Sequence, residues 1–65
     1  MKLNYFYNLW PTIEGKDVRI VHGYQKQHIT YCKLVEMNKF PNEVYLKSDG
    51  GLCLTVRPIK SITLV

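Results

Sequence analysis

Two alternating apolar runs flank Ser48-Asp49-Gly50-Gly51, and this stretch constrains the fold more than any other. Asp-Gly between alternating segments predicts a β-hairpin, because a tight primed turn needs positive φ at its centre. Val44 and Leu46 then point one way, Tyr45 and Lys47 the other. Beyond the turn, Leu52, Leu54 and Val56 share one face, and Cys53, Thr55 and Arg57 the other. An isolated hairpin is marginal in water, so further strands must cover its apolar face.

Other segments read as strands of that kind. Asp17–Gly23 places Val18 and Ile20 inward and Arg19 outward. His28–Met37 alternates imperfectly, and a bulge near Lys33 would rephase it, keeping Ile29 and Tyr31 in the core with Leu34. Asn38–Asn42 has the chemistry of a turn. Pro58 interrupts the chain before a last short strand, Ser61–Val65. Lys2–Trp10 alternates as a strand, with Phe6 and Trp10 opposite Tyr5 and Tyr7. Leu3, Phe6, Tyr7 and Trp10 also recur at helical spacing, but Asn and Tyr are poor helix formers and Pro11 ends either element. The sequence thus predicts one all-β domain over residues 1–65: a small barrel or strongly bent sheet of about five antiparallel strands.

Composition bounds the function. A 65-residue chain is a single small domain, burying only about 60% of the surface its unfolded form exposes. Its net charge of +4 is spread evenly, +2 over residues 1–32 and +2 over 33–65, with no basic block. Nucleic-acid binding is permitted rather than demanded. No apolar run approaches the roughly 20 residues of a membrane span, and the N-terminus lacks the pattern of a targeting signal. Two cysteines without a secretory signal point to the cytoplasm.

Signatures of chemistry are absent. His22, His28, Cys32 and Cys53 are elements of a zinc site, but none of their spacings matches a common one. Four strand residues separate His28 from Cys32 by about 13 Å, too far for one ion or for a Cys–His nucleophile. They read as two small buried thiols and two surface histidines. No paired carboxylates and no phosphate-binding glycine loop occur, so a binding module without cofactor or metal is expected rather than an enzyme.

Aromatic and basic groups carry the binding reading. Tyr45, Lys47, Thr55 and Arg57 fall on the outward face of the hairpin, with Arg19 outward on its own strand. Tyr and Arg anchor protein interfaces, and Phe6 and Trp10 are candidate docking anchors on the other side of the first segment. The same groups suit single-stranded nucleic acid, with bases stacking on Tyr and cations meeting phosphates. The leading expectation is a small inhibitor or adaptor docking on a protein, a role that accords with a phage or mobile-element origin. Self-association through an exposed edge strand is compatible with either reading.

From Gly15 onward the chain resembles the Sm-like small barrels. Gly15-Lys-Asp-Val-Arg-Ile-Val21 is similar to the Gly-Lys-x-Val-x-Val opening of their first long strands. Asn38-Lys-Phe-Pro-Asn42 falls where that family carries an acid and then an Asn in its RNA-contacting loop. Val56-Arg57-Pro58 falls where it carries an Ile-Arg-Gly turn. The resemblance implies RNA as ligand, Phe40, Asn42 and Arg57 as its contacts, and a ring oligomer; together with Tyr45 and Lys47 of the hairpin face these residues make up the alternative reading, a barrel that binds RNA or single-stranded DNA.

Overall fold

The computed structural model describes all 65 residues, Met1–Val65. One helix, α1 (Leu3–Ile13), precedes five strands: β1 (Asp17–His22), β2 (His28–Phe40), β3 (Glu43–Ser48), β4 (Cys53–Thr55) and β5 (Ile59–Leu64). All pairings are antiparallel, and the sheet order is β4-β3-β2-β1-β5. The sheet is open: β4 and β5 each leave one edge unpaired.

The long strand β2 organises this sheet. Its first half pairs with β1, from Asp17↔Lys33 to His22↔His28. Its second half pairs with β3, from Leu34↔Ser48 to Phe40↔Glu43. The register slips between Leu34 and Glu36, so Val35 is the bulged residue. A bulge bends a strand and raises its twist, which lets one strand serve both halves of a bent sheet. The phase change expected near Lys33 is therefore real, and it falls at Val35. The core set differs accordingly. Thr30, Cys32 and Leu34 face inward, whereas Ile29 and Tyr31 are exposed.

Across the hairpin of β3 and β4, Leu46 pairs with Leu54, and Val44, Leu46 and Val56 are fully buried. Leu52 stays exposed beside the turn. The turn is not the two-residue primed type. Gly51 N–H donates to the Ser48 carbonyl (3.1 Å), Ser48 N–H donates to the Leu52 carbonyl (2.9 Å), and Leu52 N–H returns to Ser48 Oγ (3.0 Å). Gly51, not Asp49 or Gly50, takes positive φ (88°). This is a three-residue loop ending on a left-handed glycine, the next commonest way to close a hairpin. The preceding turn signal, Asn38–Asn42, also tightens. β2 runs on through Phe40, leaving only Pro41–Asn42 as the turn.

Lys2–Trp10 is not a strand. Phe6, Trp10 and Ile13 recur at helical spacing, are all buried, and join Val18, Ile20, Leu34, Val44, Leu46, Val56, Ile59 and Ile62 in one core. Partly buried Leu3, Tyr7 and Leu9 pack against it. An 11-residue helix is marginal by itself, so this packed face outweighs the weak propensities of Asn and Tyr. Pro11 does not end the helix but sits in its last turn. It supplies no N–H to the Tyr7 carbonyl, yet the helix carries on to its end, where Glu14 N–H reaches Trp10 O at 3.0 Å.

Candidate functional site

The burial of Phe6 and Trp10 removes them as docking anchors. Phe6 is 0% exposed, with its ring centroid 5.7 Å from that of Trp10. Helical geometry turns both onto the open side of the sheet, where they close the core. Strand alternation would have left them outside it.

The remaining candidates gather at the β2–β3 turn. β2 ends on Phe40 and β3 opens on Glu43, so the two strands hold Phe40 and Tyr45 in an edge-to-face pair with centroids 5.4 Å apart. Such pairs add about 0.5–1.5 kcal/mol beyond the area they bury. Both rings are nevertheless about half exposed. They line a shallow cleft with Asn38, Pro41, Asn42 and Cys53. A second shallow cleft, formed by His22, Tyr24, Leu54 and Pro58, meets the first at Tyr45 and Cys53.

Arg57, 15 residues from Asn42 in the chain, reaches the same place. Its Nε donates to the Asn42 carbonyl at 3.1 Å and lies 3.8 Å from Glu43 Oε2. Glu43 in turn accepts from the Val44 N–H at 3.0 Å. The partly exposed ion pair contributes little stability, but it orients the guanidinium and balances its charge. Lys39 is also engaged, its Nζ lying 4.7 Å from the centre of the Tyr7 ring on α1. Lys47 stands apart from the cleft, with Glu36 directly across on β2 and Cys53 on β4. Arg19 belongs to the other half of the sheet, opposite Tyr31.

Of the predicted contacts, then, Phe40, Asn42, Tyr45 and Arg57 converge, Lys47 lies one pleat further along, and Phe6 and Trp10 are elsewhere. Sequence reading missed the exposed Tyr31, which the expected bulge places in the core, and Tyr24, which lies between two predicted strands. Placing the bulge after Leu34 would have exposed Tyr31, because it shifts inward parity to Thr30 and Cys32.

Both cysteines are free, Cys53 exposed and Cys32 half-buried, so the expectation of two buried thiols fails at Cys53. Burial, with Asp49 and Asp17 adding their negative charge, pushes the Cys32 thiol above its ordinary value. That disfavours the thiolate a nucleophile needs. No group of three or more His, Cys, Asp or Glu is placed to hold a metal ion. No helix is long and apolar enough to cross a membrane. Compared with protein-family models, with curated proteins and with solved structures, the chain matches none of them.

Proposed function

We propose that this protein is a non-catalytic binding module that docks on a protein partner through the cleft around Phe40 and Tyr45, as a small cytoplasmic inhibitor or adaptor. The observation that carries this reading is an exposed aromatic pair whose neighbouring charges are already matched, Arg57 by Glu43 and Lys39 by the Tyr7 ring. A half-exposed aromatic centre with a polar rim has the anatomy of a protein-binding hot spot, where Tyr and Arg dominate the energy. The unpaired edge of β4 borders the cleft and offers backbone groups to an added strand. Affinity capture from nuclease-treated host lysate tests the reading. Wild-type protein should recover one stoichiometric protein that Tyr45→Ala does not. Recovery of nucleic acid alone from untreated lysate, and of nothing after nuclease, would sink it.

A second reading has its own support. An Sm-like barrel that binds RNA or single-stranded DNA would use Phe40, Asn42, Tyr45, Lys47 and Arg57, and the 3.1 Å bond from Arg57 to Asn42 joins the two turns on which that resemblance rests. The N-terminal helix, which the alternating pattern obscured, also accords with that family. Affinity that falls steeply with salt distinguishes this reading from protein docking. Self-association through the free edges of β4 and β5 is compatible with both.

A further inference from the structure

We propose that His22 and His28 form a two-imidazole site for a borderline divalent transition-metal ion such as zinc. In sequence the two are six residues apart, which matches no common zinc spacing. The β1–β2 hairpin makes them direct cross-strand partners and brings their ring centroids to 5.7 Å, with ring planes 34° apart.

That separation suits coordination. A metal–nitrogen bond of about 2.0–2.1 Å puts each ring centroid about 3.2 Å from the ion, so two imidazoles at a tetrahedral angle have centroids about 5.2 Å apart. Closing the observed 5.7 Å takes about half an ångström, which side-chain rotation supplies without moving the strands. Directly opposed strand residues hold their Cβ atoms about 4.5–5.5 Å apart, so the backbone places the two side chains next to each other on one face.

Two further features preorganise the pair. His22 Nε2 lies 2.8 Å from Thr30 Oγ1. In the tautomer whose Nε2–H donates to that hydroxyl, the Nδ1 lone pair is left for a metal, the usual way an outer partner sets a ligand's tautomer. Gly23 holds the turn tight. It has φ of 121°, its N–H donates to the Pro58 carbonyl at 2.9 Å, and an added Cβ would fall 2.1 Å from the Lys26 carbonyl oxygen. Only glycine closes the hairpin at this point, and the closure pairs the histidines.

No third His, Cys, Asp or Glu joins them, so water or an incoming donor fills the other positions. Cys53 lines a cleft with His22 yet completes no such group. The site is therefore open and exchangeable, unlike a closed structural zinc centre.

Zinc chloride titrated into the full chain tests this, followed by calorimetry and by the 15N shifts of the imidazole nitrogens. One-to-one saturable binding is expected, with the His22 Nδ1 resonance moving and Nε2 keeping its proton. His22→Asn and His28→Asn should each weaken binding at least tenfold, Thr30→Val should weaken it by about tenfold, and Cys53→Ser should leave it unchanged. The imidazole shifts of the wild-type protein report coordination directly, so the result does not depend on any variant folding. Absence of saturable binding up to millimolar zinc, binding that survives either histidine change, or its loss in Cys53→Ser overturns the proposal.

Discussion

Replacing Phe6 by alanine separates a core residue from a docking residue. Phe6, on the inner face of α1, is fully buried and packs on Trp10 inside the single core. Truncating a buried Phe removes its transfer free energy and leaves a cavity, together about 3–5 kcal/mol. A domain of 65 residues has about 3–10 kcal/mol of total stability, so the change takes about 30% of it or more. At this size 1 kcal/mol shifts Tm by about 4–8 °C, and the loss should therefore exceed about 12 °C. Urea and thermal unfolding followed by far-UV circular dichroism measure it, and Trp10 emission should move to longer wavelength as the indole becomes hydrated. Tyr5→Ala, one position away but 62% exposed, should stay within about 0.5 kcal/mol of wild type. If Phe6→Ala costs less than about 1 kcal/mol, α1 does not close the core and the case against Phe6 as a docking residue collapses.

The other expectations concern the turn, the half-buried thiol and the cleft. Gly51→Ala should cost about 1–2 kcal/mol in urea unfolding, because φ is 88° there and the loss is backbone strain rather than a clash. Gly50→Ala, without positive φ, should be neutral or slightly stabilising, and equal costs would refute the three-residue turn. With Ellman's reagent near pH 8, Cys53 should react well before Cys32. Since the fold raises the Cys32 pKa, the unfolded chain releases that proton first, and stability should fall as pH rises through the ordinary thiol value of 9.0. Denaturation midpoints across that range should show the decline in wild type and less of it in Cys32→Ser. Once a protein partner is in hand, Tyr45→Ala should weaken binding by at least about 2 kcal/mol, roughly thirtyfold, while the domain stays folded and loses about 1–2 kcal/mol of stability with the Phe40 pair. Raising salt from about 50 to 200 mM should alter that affinity less than tenfold, whereas a thousandfold loss would favour phosphate contacts.

The hairpin was the most legible part of the chain. Period-two alternation states directly which residues share a face, and Val44, Leu46 and Val56 are buried as that pattern requires. Legibility failed where one local pattern served two periods. Lys2–Trp10 satisfies both a strand and a helix, and the choice depends on what lies beneath it. It failed again in β2, where the position of a single bulged residue decides the side of every neighbour. The candidate cleft was half legible. Each of Phe40, Asn42, Tyr45 and Arg57 could be picked out by residue type, but their meeting depends on two turns separated by an entire hairpin.

Alternation and turn chemistry, then, were enough to determine a small antiparallel sheet of about five strands, because both act over a few residues and need no partner. Tertiary structure alone decided the rest. The apolar face of α1 outweighed its propensities, the bulge at Val35 sent Tyr31 outward, and the hairpin register set His22 beside His28. The first two depend on which surface loses most water when distant segments meet, and no window of the sequence contains both surfaces; the third is local, set by the register of the β1–β2 hairpin. The Ser48–Leu52 turn lies between these cases. Its place was legible from Asp49-Gly50-Gly51, but its type depended on which glycine the strand register left in the left-handed region.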